Sequence, residues 1–556
     1  MRERYISLMS KTLGAYSDAH IKEYFEAVKN EGLTEHGFPR LTAGIGILIA
    51  HKKREDLLPL FCEMMSFCCE NIPRVKAAND FSVREIIFCI MALEETDIIS
   101  KAKISEWKTS LSSIVPEKCY NKYATSVTDK VNNWACFTAV SEFMREYIGL
   151  CDSSSFIDMQ IANQLKYIDS NGMYRDPHEP AVYDLVPRLL FSVLLHFGYC
   201  GQYREIIDAH LKKAGLLTLK MQSVSGEIPF GGRSNQFIFN EALIAVIFEY
   251  EAARYFACGD VSLAKELKNA AKKALDNIEK WLSEEKIRHV KNFFPVETSY
   301  GCEGYAYFDK YMITVASYLY CAYLLCDDRI NVSEGEIEER KPYAVSTSEH
   351  FHKHFMYAGG YFLEFDTRAD KSYDCSGLGR VHRKGAPSAL CMSLPCTDSP
   401  KYKINTDDAS SLSLCVGGCV DGEMRFATDP DSEYNVTSLS ADNVSAYAKI
   451  NTLLCGIRPI TSEYKVSEEG VEITVSGEGK LAFMLPVFSF DGEECTDITA
   501  EKSFITIKYK GWSCKYTTDG TITDLEKNAY NRNGYYRSFC AAGNRTLSVK
   551  VTVTES

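Results

Sequence analysis

The sequence changes its periodicity close to residue 330, and this change constrains the fold more than any other feature. Before it, apolar residues recur at helical spacing in segments of about 12–22 residues, separated by short Gly, Pro, Asn or Ser breaks. After it, apolar and polar residues alternate in short runs between Gly, Asp, Asn and Ser turns, which is typical of antiparallel strands. The chain therefore has a helical part followed by a strand part.

The helical part predicts about twelve or thirteen helices, close to the number that six helical hairpins need. Several segments are apolar on nearly all sides, as expected for the inner ring of a double-layered helical toroid. We therefore predict an N-terminal (α/α)6-type toroid over residues 1–330. A simple bundle or a solenoid is the alternative, because the sequence has no clear repeat of fixed period. Candidate helices begin at Leu41, Asp56, Ser82, Asp129, Val186, Asn240, Val261 and Met312.

The charged stretch from Asn331 is typical of a linker, which we assign to residues 331–348. Beyond it, runs such as YFLEFDTR, SLSLCVGG and RTLSVKVTVT predict a C-terminal antiparallel β-sandwich over residues 349–556. The chain of 556 residues is long enough for two such domains.

The composition excludes some classes of function. A net charge of -13 disfavours a nucleic-acid partner, because phosphate binding needs a basic surface. No stretch of about 18 apolar residues predicts a membrane span. The N-terminus, MRERYISLMSKTLG, lacks the apolar core of a signal peptide, so we expect a cytoplasmic protein without a membrane partner. The oligomeric state is left open.

The 21 cysteines are scattered through helical and strand-like segments and include no CxxC pair, which favours reduced core thiols over disulfides or a structural zinc site. Alternate spacing would place His350, His352 and His354 on one face of a strand, where they could hold a divalent ion. Solvated linker histidines are the favoured interpretation, and no cofactor is expected.

Three polar and aromatic segments in the helical part have the character of loops or helix starts, where functional residues concentrate. The first begins at Asp169 and contains Tyr174, Asp176 and His178, with prolines that interrupt any helix. A polar connection that caps neighbouring helices is the alternative interpretation.

The second segment, SGEIPFGGRSNQFIFNEA, begins at Ser225. Its two adjacent glycines permit tight backbone geometry, and Ser234 or Asn235 could cap the helix that follows. Arg233, Asn235 and Gln236 would then lie at a helix N-terminus, which favours an anion such as a sugar carboxylate. Glu227 and Glu241 supply carboxylates nearby. A plain helix cap is the alternative.

The third segment begins at Phe293 and contains Tyr300, Tyr305 and Tyr307. Aromatic rings stack on sugar faces, and tyrosine hydroxyls can transfer protons. The chain has 33 tyrosines, so ordinary packing is the competing interpretation.

Arg380 and His382, in the sequence GLGRVHRKGAPSAL, begin the strand part. A cationic strand that faces the toroid could complete a cleft for an anionic substrate. A solvated basic turn is the alternative.

This layout resembles the heparinase II/III and alginate lyase group of polysaccharide lyases, in which a helical toroid precedes an antiparallel β-sandwich. The resemblance covers the whole chain in architecture. It implies that Asn235 in GRSNQF neutralises a uronate carboxylate, with Gln236 where the group usually has His. It also implies that Tyr305, with Tyr300 or Tyr307 as substitutes, transfers protons, and that His382 joins the site from the sandwich.

The resemblance implies β-elimination on an acidic oligosaccharide that contains uronic acid. Arg233 and Asn235 would neutralise the carboxylate, and Tyr305 would share proton transfer with His178 or His382. Tyr174, Asp176, Gln236, Glu227, Glu241, Tyr300, Tyr307 and Arg380 are the expected substrate-binding residues.

Two other functions are left open by the sequence. An inverting glycoside hydrolase on the same scaffold would pair Asp176 or Asp184 with Glu227 or Glu241 at about 6.5–9.5 Å. A non-catalytic carbohydrate-binding protein would lack converging ionisable groups in its cleft.

Overall fold

The N-terminal part of the computed structural model is a closed double ring of helices. The structure describes residues 1–331, 340–404 and 409–556. Within these residues there are fourteen α-helices and four short 3₁₀ helices, the latter at Glu55–Leu57, Ile72–Arg74, Asn79–Phe81 and Val296–Thr298. The α-helices are α1 (Arg2–Leu13), α2 (Asp18–Glu31), α3 (Gly37–Ala50), α4 (Leu58–Asn71), α5 (Val83–Glu94), α6 (Lys101–Ser112), α7 (Pro116–Cys119), α8 (Trp134–Tyr147), α9 (Ser154–Leu165), α10 (Ala181–His196), α11 (Arg204–Met221), α12 (Phe239–Ala257), α13 (Val261–Leu282) and α14 (Phe308–Leu325).

Six helices form the inner ring, and each contacts the next in the order α3, α5, α8, α10, α12 and α14. Helix α14 packs back on α3, so the ring closes, which a solenoid or a simple bundle does not do. The outer helices α4, α9, α11 and α13 pack on α3, α8, α10 and α12 respectively. The prediction of a helical toroid is confirmed.

Hydrophobicity on all sides explains the inner ring. Every residue of α3 from Gly37 to Ile49 is buried, whereas α13 in the outer ring buries one face only. Helices α3 and α5 approach so closely that a Cβ atom added at Gly46 would lie 2.4 Å from the Cys89 sulfur. None of the described helices combines the length and the apolar composition that a membrane span requires.

The C-terminal part consists of antiparallel strands in two sheets. The strands are β1 (Tyr343–Ser346), β2 (Lys353–Ala358), β3 (Tyr361–Asp366), β4 (Gly377–Arg383), β5 (Val416–Val420), β6 (Glu423–Phe426), β7 (Glu433–Ala441), β8 (Ala446–Leu454), β9 (Arg458–Ser467), β10 (Gly470–Phe490), β11 (Asp497–Ala500), β12 (Phe504–Tyr509), β13 (Trp512–Thr518), β14 (Thr521–Asn531) and β15 (Gly534–Glu555). Strands β1 to β4 form a small sheet in sequence order. The other strands form a large sheet, along which β10 and β15 pair over most of their length.

The small sheet is buried on both faces. Met356 and Ala358 of β2 share a core with the large sheet, while Phe355 and Tyr357 pack against Met173 of the toroid. Alternate residues of a strand point to opposite faces, so one strand serves both contacts. The predicted antiparallel β-sandwich is confirmed, and its small sheet lies between the toroid and the large sheet.

The predicted linker overlaps the small sheet, because β1 lies within residues 331–348. Residues 332–339 of that segment lie outside the described residues. The domain limits of 1–330 and 349–556 stay a proposal, with β1 belonging to the sandwich.

Candidate active site

A cavity of about 310 Å³ opens in the toroid, at the low end of the range for small-molecule sites. It extends from Tyr305, which is 41% exposed, to Arg40, which is 3% exposed. These two residues mark its mouth and its floor. The cavity is lined by His36, Arg40, Ala78, Phe81, Asn132, Asn133, Trp134, Phe137, Tyr183, Val186, Arg233, Phe239, Tyr305, Lys310, Tyr311, Thr314 and Tyr318.

The loop that follows Phe230 shapes the mouth. Gly232 has a φ of 77°, and a Cβ atom there would lie 2.6 Å from the Pro180 side chain, so only glycine fits this close approach. The Gly232 N–H donates to Asp374 of the sandwich at 2.8 Å. The expected role of the glycine pair in tight geometry is confirmed, and the loop presents Arg233 and Ser234 to the cavity.

Three hydroxyl groups form a chain at the mouth. The Ser234 hydroxyl lies 3.1 Å from the Tyr305 hydroxyl and 3.0 Å from the Tyr183 hydroxyl. Burial raises the pKa of both tyrosines above the ordinary value, with Glu303 adding to the effect and Arg233 opposing it. Tyr305 therefore keeps its proton at neutral pH.

Arg233 lies beside these three hydroxyl groups, and its positive charge is partly neutralised. Its guanidinium binds the buried Asp176 carboxylate, donates to the Pro177 carbonyl at 2.7 Å, and lies 4.5 Å from the centre of the Tyr183 ring. Asp176 is also held by the Asn133 amide at 2.9 Å. Burial raises the pKa of Asp176 while Arg233 opposes that shift. Asp176 thus offsets part of the charge of Arg233 and does not line the cavity.

Helix α3 supplies the floor. Arg40 donates to the Thr314 hydroxyl at 2.9 Å and the Ser317 hydroxyl at 3.2 Å, both on α14. It also approaches Nδ1 of His36 at 3.4 Å, so Nδ1 accepts and the neutral imidazole carries its hydrogen on Nε2. Burial and the adjacent Arg40 and Lys310 hold the pKa of His36 well below its ordinary value. The floor therefore presents hydrogen-bond donors.

Arg532 of the sandwich stabilises the mouth of the cavity through Glu303. Arg532 donates to both oxygens of Glu303, at 2.7 and 3.1 Å, and Glu303 accepts from the Ser234 backbone N–H at 2.6 Å. Arg532 is fully buried. The hairpin between β14 and β15 thereby fixes the loops that carry Ser234 and Tyr305.

Other predicted site residues lie in a buried layer between the domains. Lys291 contacts Glu241 at 2.9 Å and Glu227 at 3.4 Å, and Arg380 contacts Glu364 at 3.2 Å and Glu227 at 3.8 Å. We call this group, with Lys353 and Asp366, the interdomain charge layer. It joins the toroid to the small sheet and does not line the cavity.

His382 belongs to the same layer. Its ring nitrogens lie 3.1 Å from the Ser225 hydroxyl and 3.2 Å from the Ser393 hydroxyl. Burial, together with the adjacent Arg380, lowers the pKa of His382 to about 3. The pKa of Glu227 is also lowered, because Lys291, His382 and Arg380 outweigh its burial.

The side chains of Asn235 and Gln236 bind other protein groups and do not line the cavity. Asn235 donates to the Pro229 carbonyl at 3.0 Å and accepts from Gln236 at 3.1 Å, and Gln236 accepts from Asn533 at 3.3 Å. The expected cap by Ser234 or Asn235 is wrong, because α12 begins at Phe239 and the residue before it, Ile238, makes no side-chain cap.

The remaining candidates lie apart from the cavity. Tyr174 is buried against Gln164, and its backbone N–H donates to Asp184. Tyr300 packs on Phe294, and Tyr307 is exposed beside Lys310 without lining the cavity. The exposed His178 approaches Asp370 of the sandwich at 3.7 Å. Of the predicted site residues, the structure brings Arg233 and Tyr305 together at the cavity.

The three alternate histidines do not share one face. His354 lies in β2, while His352 precedes that strand with a φ of 44°. His354 contacts Ser346, His352 contacts Asp366, and His350 lies 3.3 Å from Arg175. Within the described parts of the chain, no group of three or more His, Cys, Asp or Glu side chains is arranged to hold a metal ion.

Comparisons with known proteins find similarity at the level of structure. No protein-family model matches the chain, and no curated protein matches it. It is similar to heparinase III, with 9% sequence identity and a TM-score of 0.49, over 93% of this chain and 76% of that protein. It is also similar to the chondroitin AC lyase of Streptomyces coelicolor A3 in complex with chondroitin sulphate, with 11% identity and a TM-score of 0.43, over 99% and 83%. Heparinase III is of the group that the sequence resembles, and the likeness concerns the fold alone.

Sequence reasoning missed the floor of the cavity. The predicted helix at Leu41 begins four residues earlier, at Gly37, so His36 and Arg40 fell outside it. Their spacing of four residues at the start of an otherwise apolar helix is the signal that could have identified them, because such residues share a helix face. Lys310 was missed in the same way at the start of α14.

Proposed function

We propose that this protein is a lyase that cleaves a uronic-acid-containing oligosaccharide by β-elimination in the toroid cavity. One observation carries the proposal. Among the described residues that line the cavity there are three cationic side chains, four tyrosines and no carboxylate, in a protein with a net charge of -13. Such a lining suits an anionic substrate that reacts by proton transfer.

The chemistry of elimination matches these groups. The C5–H and C4–O bonds break, the C4–C5 double bond forms, and one proton moves from C5 to the leaving oxygen, with the Tyr305 hydroxyl giving its proton to that oxygen and taking up the C5 proton. A cation beside the uronate carboxylate makes the C5 proton more acidic, and Arg233 is the proposed cation at the mouth. Trp134 and Tyr311 line the cavity and supply aromatic surface for the sugar.

Tyr305 is the proposed proton donor to the leaving oxygen. Its raised pKa keeps the hydroxyl protonated at neutral pH, and its exposure lets a substrate reach it. Ser234 and Tyr183 form a hydroxyl chain through which the donated proton can be replaced. The predicted catalytic roles of Asn235, His178 and His382 are not part of this proposal, because none of these residues lines the cavity.

Hydrolysis by two carboxylic acids receives no support from the geometry. Asp176 is paired with Arg233, Asp184 with Arg188, and both Glu227 and Glu241 with Lys291. All four carboxylates are buried outside the cavity lining, whereas an inverting glycosidase needs two of them facing one substrate.

The proposal is tested by incubating the protein with a panel of sulfated and unsulfated uronate oligosaccharides. Ultraviolet absorbance of the conjugated alkene and the formation of reducing ends are followed in parallel. We expect both signals to rise together. New reducing ends without absorbance would establish hydrolysis instead, and the absence of both signals across the panel would contradict an enzymatic role on these sugars.

A further inference from the structure

The floor of the cavity contains a buried guanidinium that is not fully paired. Arg40 is 3% exposed and lines the cavity, and its Nη1 and Nε atoms donate to Thr314 and Ser317. Its Nη2 atom makes no hydrogen bond. Buried donors are normally satisfied, so the Arg40 guanidinium keeps hydrogen-bonding capacity that the protein does not use.

The charges around Arg40 do not balance. The carboxylate nearest to its Nη2 is Glu85, at 3.5 Å, but the same Glu85 oxygen accepts from Arg84 at 2.6 Å. Arg84 is also buried, and its Nε and Nη1 atoms make no hydrogen bond. Two buried guanidinium groups therefore share one carboxylate, which leaves one unit of positive charge in excess.

The other two cations of the lining differ from this arrangement. Arg233 has the Asp176 carboxylate, and Lys310 lies 4.0 Å from Glu35. The neutral His36 adds no charge at the floor. The excess charge is thus located at Arg40 and Arg84. Burying an unbalanced charge is costly, and an anion that enters the cavity would offset that cost.

We propose that the floor of the cavity is a second anion subsite, in which Arg40 binds an oxyanion carried by the sugar next to the one at Tyr305. This inference rests on the proposed function for the identity of the ligand. Helix α14 links the two positions, because Tyr311 packs against Tyr305 and Thr314 binds Arg40. Tyr311 and Thr314 are three residues apart on α14, which corresponds to about 4.5 Å along the helix. The oxyanion is a sulfate ester or a second uronate carboxylate.

The first test measures binding of inorganic sulfate by calorimetry, in chloride buffers of constant ionic strength. We expect saturable binding by the wild-type protein and a loss of affinity of about 10- to 100-fold in Arg40→Gln. That variant leaves Arg84 paired with Glu85, so we expect it to fold, which circular dichroism checks. Glu85→Gln removes the shared carboxylate and should increase the affinity for sulfate.

Arg84→Gln is the matched control, because it removes the same charge without altering the cavity lining. Its affinity should fall less than that of Arg40→Gln. Equal losses would show a general charge effect and would contradict contact with Arg40, as would the absence of sulfate binding in the wild type. Arg40→Lys keeps the charge and should retain part of the affinity, so it carries the test if Arg40→Gln does not fold.

Measurements of turnover distinguish a failure of this inference from a failure of the proposed function. With sulfated and unsulfated oligosaccharides, Arg40→Gln should raise the KM of the class whose anion binds at Arg40 and leave the other class nearer the wild-type value. Sulfate binding that depends on Arg40 without any alkene absorbance would uphold the subsite and contradict the lyase. Alkene formation with an unchanged KM in Arg40→Gln would uphold the lyase and contradict the subsite.

Discussion

The toroid cavity and the interdomain charge layer are both rich in charged residues, yet their charges are arranged in opposite ways. In the layer, each of Lys291, Arg380 and Lys353 lies within 4 Å of two carboxylates, and all are buried. Among the described residues, the cavity lining has no carboxylate, and Arg40 shares its only carboxylate, Glu85, with Arg84. Buried cations that each have two carboxylates therefore join the domains, whereas a cation that shares one carboxylate beside a cavity is available to a ligand.

The largest effect should come from removing the hydroxyl at the mouth. Tyr305→Phe should lower kcat by about 100- to 10,000-fold, because a positioned proton donor contributes that much to catalysis. Thermal stability should change little, since Tyr305 is partly exposed. The rate of alkene formation measures the effect. Tyr307→Phe is the matched control, because Tyr307 is 45% exposed nearby but does not line the cavity. Equal losses in the two variants would remove Tyr305 from the mechanism.

Breaking the interdomain charge layer should instead reduce stability. Lys291→Met leaves the buried Glu241 without its lysine and should lower the free energy of unfolding by about 3–5 kcal/mol. Urea denaturation measures this loss. The double variant Lys291→Met with Glu241→Gln should recover part of it, because the buried carboxylate is neutralised. A loss in Lys291→Met below about 1 kcal/mol would show that this pair does not hold the layer together.

Acid should weaken the layer through His382. Its pKa is about 3 in the folded protein against 6.5 ordinarily, so between these values the unfolded chain binds a proton that the folded chain does not. Stability from the neutral imidazole is present above about pH 6.5 and falls as pH decreases toward 3. Urea denaturation from pH 7 to 5 should show a smaller acid loss in His382→Gln than in the wild type. Glu227, whose pKa is lowered from 4.5, contributes only below that range. Parallel curves would disprove this role of His382.

The smallest effect concerns the pairing of Arg233. Asp176→Asn removes the partner charge while keeping an oxygen for Asn133, so Arg233 should attract an anionic substrate more strongly. We expect the KM to fall by about 2- to 5-fold at low salt, in line with partly exposed ion pairs. The difference should shrink at high salt. A raised KM would mean that Asp176 mainly fixes the position of Arg233.

The order and type of the elements could be predicted because periodicity is a local property. Segments such as the one from Leu41 are apolar on all sides, and only an inner layer accommodates that pattern. The first residues of α3 and α14 were harder to predict, since polar residues at a helix start look like part of a loop. For this reason His36, Arg40 and Lys310 were not predicted from the sequence as candidate site residues.

The candidate site could be predicted only in part, because its composition depends on contacts between distant parts of the chain. Glu227 and Arg380 are separated by more than 150 residues of sequence, and their pairing removes both from the list of ligand contacts. Tyr305 was found because its loop is conspicuously aromatic. Nothing in the local sequence indicates that Asn235 turns inward to the Pro229 carbonyl.

The contact of Arg532 with Glu303 limits how this architecture can be recombined. The residue that secures the mouth of the toroid is contributed by the last hairpin of the chain, about 230 residues downstream. The two domains are therefore not interchangeable modules. A chimaera that joins this toroid to a foreign sandwich would keep its helices but lose the contact that holds Glu303 and Ser234 in place, unless the graft also carries the Asn531–Asn533 turn.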